Sequence, residues 1–162
     1  MERRIFRRSV YIQEEEQMFL GQFEHTIDDK GRMTIPARYR ELLVDGAYIT
    51  QGFDQNLIVL TPVTFDQISQ RVNKMNMADP LARQLRRLIF SNADRVDADK
   101  LGRILIPSYL RQSAELETTA VVVGVGSHFE IWSSNLWNKQ SEILRDSEAN
   151  QQRFSVLDLT IG

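Results

Sequence analysis

A short stretch of this chain occurs twice, and the second copy begins 71 residues after the first. The first copy is DDKGRMTIPARYR (28–40) and the second is DKLGRILIPSYLR (99–111). After one inserted residue the likeness continues at an offset of 72, between residues 50–65 and residues 122–137. A nearly constant offset over this length marks an internal repeat, so the chain consists of two copies of one structural unit.

Each copy opens with a pattern that predicts two short, half-buried strands joined by a tight turn. In the first copy, apolar and polar residues alternate on both sides of DDKG (28–31). Gly31 can adopt the positive φ that such turns need, and Asp28 can accept backbone N–H groups across the turn. Arg32 then emerges at the start of the return strand.

The first copy continues with a short helix from Pro36, two strands and a longer helix. Thr61 suits the N-cap of the longer helix and Pro62 its first position. Its apolar residues recur at helical spacing: Phe65, Ile68, Val72 and Met75. The second copy repeats this order and ends with a helix predicted from Ser134 to about Glu148.

A linker helix is predicted between the copies, starting at Asp79 and Pro80. Its predicted apolar face consists of Leu81, Leu85, Leu88 and Ile89. The opposite face carries three arginines, which we interpret as a solvated helix surface: Arg83, Arg86 and Arg87.

The repeat divides the chain into five segments. They are an N-terminal extension, disordered or a start-site artefact (1–17), the first repeat with its trailing helix (18–77), the linker helix (78–92), the second repeat with its trailing helix (93–148) and a C-terminal tail (149–162). Each repeat is too small to bury a good core alone, so the two are expected to pack together or exchange strands. The predicted fold class is α+β, mainly β, and the sequence leaves open whether the repeats lie side by side or interleave.

The composition excludes several classes of protein. A hydrophobic share of 42% with 26% charged residues is typical of a soluble globular protein. The absence of cysteine excludes disulfides, a thiol nucleophile and thiolate metal ligands. No secretory signal pattern and no run of about 20 apolar residues is present, which predicts a cytoplasmic protein.

Enzyme and cofactor functions are not predicted. His25 and His128 occupy different positions in the two copies, and neither has the spacing of a metal-ligand motif. The glycines of GVGSHF (124–129) lack the GK[ST] ending of a phosphate-binding loop. We therefore expect no catalytic residues, no metal and no cofactor.

Basic residues are unevenly distributed, although the net charge of the chain is -2. Residues 71–111 hold nine Lys/Arg against four Asp, whereas residues 112–162 hold three Lys/Arg against seven Asp/Glu. Residues 30–40 contain four basic residues and no acidic one: Lys30, Arg32, Arg38 and Arg40. This asymmetry predicts one basic face on a weakly acidic protein.

The candidate binding residues are the arginines of the repeated turns, Arg32 and Arg103. A guanidinium group can bond guanine O6 and N7, or a phosphate, at two points, whereas a turn could be closed without it. Lys30 would add a point charge, but its counterpart is Leu101, so the second turn is expected to be less basic.

Other arginines could flank the turns. Arg40 and Arg111 are equivalent across the copies and either border the site from the helices or belong to a solvated helix face. Arg38 is a further candidate contact to DNA. The predicted turn-shaping residues are Asp28, Gly31, Asp99 and Gly102.

Three segments of the chain resemble the MraZ family of bacterial transcriptional regulators, which carry two SpoVT-AbrB-type repeats. These segments are MFLGQFEHTIDDKGRMTIPARYR (18–40), the second turn and FEIW (129–132). The resemblance implies an AbrB-like swapped-hairpin, double-split β-barrel with added helices. It also implies sequence-specific binding to double-stranded DNA through Asp28, Lys30, Gly31 and Arg32 of the first turn and Asp99, Gly102 and Arg103 of the second.

The same resemblance implies that the DNA consists of promoter direct repeats upstream of the division and cell-wall gene cluster, and that the protein represses its own cluster. Family members form ring-shaped homo-oligomers, and such a regulator would be associated with the nucleoid. The alternative is an AbrB-fold protein-interaction module, either antitoxin-like or a structural ring subunit.

Overall fold

The computed structural model describes residues 18–159, so the predicted extension at 1–17 lies outside the described residues. Eight strands lie within this range: β1 (Gln22–Thr26), β2 (Arg32–Thr34), β3 (Ala47–Gln51), β4 (Leu57–Leu60), β5 (Asp94–Val96), β6 (Arg103–Leu105), β7 (Thr119–Gly124) and β8 (His128–Trp132). The α-helices are α1 (Ala37–Arg40), α2 (Pro62–Asn73), α3 (Pro80–Asn92), α4 (Ser108–Ser113), α5 (Ser134–Arg145) and α6 (Ser147–Phe154). A 3-10 turn, Glu41–Leu43, continues α1. Between residues 18 and 159, none of the helices has the length and apolar content required to cross a bilayer.

The two repeats interleave. Six strands form an antiparallel sheet in the order β1-β7-β8-β4-β3-β5, and β2 pairs with β6 in a separate two-stranded ribbon. Both edge strands of the six-stranded sheet pair with a strand of the other repeat, β1 with β7 and β5 with β3. The predicted α+β, mainly β architecture is confirmed, and the structure resolves the open alternative in favour of strand exchange.

The ribbon lies on a pseudo-twofold axis. Met33 of β2 is directly opposite Ile104 of β6, and these two residues are equivalent in the repeat. Arg32 is opposite Leu105 and Thr34 is opposite Arg103, as a twofold relation requires. The ribbon therefore places the segments that follow the two turns side by side.

The strands on either side of the first turn do not form the simple hairpin that the sequence pattern predicts. One isolated bridge joins Ile27 to Met33, and beyond it β1 leaves for the six-stranded sheet while β2 enters the ribbon. The separation allows Ile27 and Met33 to be buried in a core that both sheets share. The long-range pairing replaces the local one because it buries apolar surface from both repeats.

One core unites the repeats. Its members come from the six-stranded sheet, the ribbon and the short helices, and they include the equivalent pairs Met33 and Ile104, and Tyr39 and Leu110. A smaller cluster packs α5 against the opposite side of the sheet, where the rings of Trp132 and Trp137 have centroids 5.5 Å apart. Both tryptophans are buried, so they serve packing.

Helices α2 and α3 begin as predicted. Thr61 Oγ1 accepts the N–H of Thr64, and Asp79 Oδ1 accepts the N–H of Leu81. The predicted apolar face of α3 is wrong at Leu81, which is 72% exposed, because α3 turns Ala82 and Ile89 toward the protein. Likewise, α2 ends at Asn73, so Met75 lies beyond the helix that was predicted to include it.

Two of the three arginines interpreted as a solvated surface on α3 bind backbone. The Arg86 guanidinium donates to the carbonyl groups of Val72, Asn73 and Met75 at 2.9–3.3 Å. Arg83 donates to the carbonyls of Met77 and Ala78. The last carbonyls of a helix lack partners within the helix, so Arg86 caps the end of α2, whereas Arg83 binds the segment that connects α2 to α3.

The helix predicted to run to about Glu148 is interrupted. Helix α5 ends at Arg145, Asp146 adopts extended backbone, and its Oδ1 accepts the N–H of Ala149 at the start of α6. An aspartate in this conformation starts a new helix. Helical structure consequently continues to Phe154, into the segment expected to be a tail.

Candidate nucleic-acid interface

The first turn is built around the carboxylate of Asp28. Its Oδ1 accepts the backbone N–H of Lys30 at 3.0 Å and of Arg32 at 2.8 Å, and its Oδ2 accepts Nε–H of Arg32 at 2.8 Å. Gly31 has φ +85°, a conformation that side chains disfavour. A single carboxylate thus closes the turn and fixes the direction of the arginine.

The second turn reproduces this arrangement. Asp99 Oδ1 accepts the N–H groups of Leu101 and Arg103, both at 2.9 Å, and its Oδ2 accepts Arg103 Nε–H at 2.8 Å. Gly102 has φ +74°. Because all these bonds span two to four residues, the conformation follows from the local sequence.

The two turns meet. Nη1 of Arg103 lies 4.0 Å from Oδ2 of Asp28, so the carboxylate of the first turn faces the arginines of both. Backbone bonds hold the turns to the ribbon: Ile35 N–H donates to the carbonyl of Gly102, and Ile106 N–H donates to that of Gly31. We call the surface formed by residues 28–32 and 99–103, together with Arg40 and Arg111, the turn face.

Arg40 and Arg111 cross to the turn of the opposite repeat. Arg40 Nε–H donates to the carbonyl of Ile35, and Arg111 Nε–H donates to that of Ile106. Their guanidinium groups then lie over Gly102 and Gly31 respectively, so close that a Cβ at Gly31 would be 2.7 Å from Arg111 Cζ. Each half of the turn face therefore combines a turn from one repeat with a helix arginine from the other.

Arg38 makes a different contact. Its guanidinium lies over the ring of Phe23 on β1, 5.5 Å from the ring centroid. The structure thus brings Arg32, Arg103, Arg40 and Arg111 into one surface, while Arg38 is engaged with an aromatic side chain.

Both turn carboxylates favour the ionised state. The backbone N–H of Arg32 lowers the pKa of Asp28, with further contributions from the Arg32 guanidinium and the N–H of Lys30. The pKa of Asp99 is lowered in the same way by Arg103 and Leu101. Each arginine is therefore held by a charged partner at neutral pH.

Sequence analysis missed one basic residue of the turn face. Lys100 is exposed in the second turn, beside Asp99. Residues 99–103 carry two basic side chains and one acidic, whereas residues 28–32 carry two of each. The expectation that the second turn is less basic is therefore wrong, and a count of charges over the whole turn would have shown it.

The described part of the chain contains no cluster of histidines and carboxylates that could form a metal site. Among residues 18–159, no three side chains of the metal-ligating types are arranged to hold an ion.

Strand exchange between two repeats, with paired Asp–Gly–Arg turns on the shared axis, defines a protein of the AbrB-like, two-repeat class. The chain belongs to the family described as "MraZ protein, putative antitoxin-like", which matches residues 18–88 and 89–157.

Three similar proteins carry the name Transcriptional regulator MraZ. The chain is 44% identical over 138 residues to the Transcriptional regulator MraZ of Roseiflexus castenholzii, covering 85% of this chain and 94% of the relative. It is 45% identical over 141 residues to the protein of that name from Thermomicrobium roseum, covering 86% and 99%. For the Herpetosiphon aurantiacus protein the identity is 46% over 120 residues, covering 74% and 84%.

Proposed function

We propose that this protein is a transcriptional regulator that binds double-stranded DNA in a sequence-specific manner through the turn face. The observation that carries the proposal is the convergence of two carboxylate-held arginines, Arg32 and Arg103, on one surface at the pseudo-twofold axis. The relatives named transcriptional regulators support it.

Arg32 and Arg103 are the proposed base-reading residues. Asp28 and Asp99 each bind the Nε edge of their arginine, and Nη1 of Arg103 also lies 4.0 Å from Asp28 Oδ2. The proposed contacts to DNA are made by the terminal Nη groups, with Arg103 turning Nη1 from Asp28 toward the DNA. The guanidinium fork is thereby oriented before binding, which suits a bidentate bond to guanine O6 and N7. Both arginines approach one carboxylate, so a major groove about 12 Å wide can receive both turns.

The remaining cations of the turn face are proposed phosphate contacts. Lys30 and Lys100 extend from the exposed turns, and Arg40 and Arg111 flank the opposite turns. Contacts of this kind fix the register of a protein on the duplex and make binding depend on salt. They also reconcile DNA binding with a net charge of -2, because the basic groups share one face. We retain Arg38 as a secondary candidate.

The proposed target is the set of direct repeats in the promoter of the division and cell-wall gene cluster, with repression of the protein's own cluster at the nucleoid. One bidentate arginine contact contributes about 1–3 kcal/mol of discrimination, which is too little for an operator. A ring-shaped homo-oligomer would present equivalent turn faces to successive repeats, and avidity could then rise by roughly 10² to 10⁴. Exposed apolar side chains near the C-terminus support self-assembly: Ile143, Leu144, Phe154, Val156 and Leu157.

Fluorescence anisotropy with duplex DNA from upstream of the protein's own gene tests the proposal. Wild type should bind this duplex at least tenfold more tightly than a random duplex of equal length and composition. Arg32→Ala should lose most of that preference, and Arg87→Ala, which changes an exposed arginine on α3, should keep it. Equal affinity of wild type for both duplexes would contradict the proposal and favour a protein-interaction module. Sedimentation velocity without DNA tests the ring.

A further inference from the structure

The two turns offer different side chains to DNA on matched scaffolds. Lys30 and Leu101 occupy equivalent positions, and the backbone N–H of each donates to the turn aspartate, at 3.0 Å and 2.9 Å. The glycine N–H groups of both turns also donate to the aspartate carbonyl, at 3.0 Å and 2.9 Å. Since the two turns have the same backbone hydrogen bonds, they differ at this position in the side chain alone. DNA beneath the first turn would meet the ammonium group of Lys30, and DNA beneath the second turn would meet the isobutyl group of Leu101.

Leu101 is unusual for its surroundings. It is 66% exposed, at the tip of a turn whose neighbours on either side are Lys100 and Gly102. Leu105, in β6 directly across from Arg32, is 55% exposed. Its equivalent in the first repeat is Thr34, so both exposed apolar residues replace a polar one.

An apolar side chain in the major groove has one specific partner among the base edges. The C5-methyl group of thymine is the apolar feature of that groove, whereas guanine presents acceptors and cytosine a donor. A lysine at the same position would instead bind a guanine edge or a phosphate. The turn face is thus chemically asymmetric despite its pseudo-twofold symmetry, because the first turn presents a lysine where the second turn presents an apolar side chain.

We propose that Leu101 is a specificity-determining residue that contacts a thymine methyl group in the half-site beneath the second turn, where the first turn presents Lys30. The proposal rests on the proposed function. It makes the two half-sites unequal: the half-site beneath the second turn contains a thymine, and that beneath the first turn has no such requirement.

Deoxyuridine scanning tests this contact, because deoxyuridine lacks only the methyl group of thymine. A duplex is first selected from a random library with the wild-type protein, and each thymine is then replaced in turn. At one position, replacement should weaken wild-type binding about fourfold, the factor expected for one apolar carbon. Leu101→Ala should bind the original duplex about fourfold more weakly and should not distinguish thymine from deoxyuridine there.

Two variants serve as controls. Leu81→Ala removes another exposed leucine, on α3, and should respond to deoxyuridine as wild type does. Leu101→Lys gives the second turn the side chain of the first. This variant should still bind DNA through phosphate contacts, but its affinity should no longer depend on whether thymine or deoxyuridine occupies the position. The role of Leu101 is overturned if wild type binds its selected duplex but loses no affinity when any thymine is replaced by deoxyuridine. It is also overturned if Leu101→Ala loses as much affinity as wild type on that replacement. Failure to select any preferred duplex would instead contradict the proposed function.

Discussion

Arg111 of the second repeat lies over Gly31 of the first, and a methyl group at Gly31 would be 2.7 Å from its Cζ atom. Gly31→Ala should therefore displace this guanidinium from the turn face. Gly126 provides a matched control, since its φ of +92° resembles the +85° of Gly31 but no atom lies within 4 Å of an added Cβ. Both substitutions should lower the free energy of unfolding by about 1–2 kcal/mol through backbone strain, measured by urea denaturation. Only Gly31→Ala should also weaken DNA binding, and equal DNA affinity in the two variants would contradict the role of Arg111.

Asp28→Asn should reduce sequence preference more than overall affinity. An asparagine oxygen can still accept the N–H groups of Lys30 and Arg32, but its amide cannot accept Arg32 Nε–H. We expect the ratio of specific to non-specific affinity to fall by about tenfold, while non-specific affinity rises because a negative charge is lost. Asp99→Asn should have a smaller effect, since Asp28 faces both turn arginines. Anisotropy with specific and random duplexes measures the ratio, and an unchanged ratio in Asp28→Asn would show that the carboxylate does not orient the arginine for reading.

Arg40→Ala and Arg111→Ala should each reduce the salt dependence of DNA binding. Loss of one phosphate contact lowers the slope of log K against log[salt] by about 0.9 in magnitude. Arg38→Ala is the comparison, and we expect a smaller change because its guanidinium lies over Phe23. Titrations at four salt concentrations give the slopes. If both variants had the same slope of log K against log[salt] as wild type, Arg40 and Arg111 would not contact phosphates.

Arg86→Ala should destabilise the protein by about 1–3 kcal/mol, because the carbonyls of Val72 and Asn73 at the end of α2, and that of Met75 just beyond it, lose a charged donor. Arg87→Ala, at the next position and exposed, should change the free energy of unfolding by less than about 0.5 kcal/mol. Urea denaturation separates the two. Equal stability would mean that the contacts of Arg86 contribute nothing net.

Mild acid should destabilise the fold through His25 and His128. Partial burial lowers the pKa of both imidazoles below 6.5, and the Arg40 charge lowers that of His25 further. The unfolded chain therefore binds protons at higher pH than the folded chain, so stability is greatest above pH 6.5 and falls as pH drops toward the folded pKa values. Urea denaturation at about pH 7.5, 6.5 and 5.5 should show this decrease. A His25→Gln, His128→Gln double variant should show a flatter dependence, and an equally steep one would assign the effect to other groups.

The turns could be predicted from the sequence because their bonds are local. Asp28 closes a turn with residues two and four positions away, and Asp99 does the same. The helix caps at Thr61 and Asp79 follow equally short-range rules. The contacts of Arg86 could not be predicted in this way, since its partners lie 11 to 14 residues back along the chain and depend on how α2 and α3 pack.

The sequence by itself determined that the chain is duplicated, that each copy carries an Asp–Gly–Arg turn, and that the architecture is mainly β. Only the tertiary structure decided that the repeats exchange strands, that Arg103 approaches Asp28, and that Arg111 covers Gly31. The physical reason is that equivalent strands of the two repeats have similar patterns of apolar and polar residues. Such a pattern does not specify whether a strand pairs within its own repeat or with the other repeat. Closing a longer loop adds little entropic cost, so the pairing that buries the most shared apolar surface prevails.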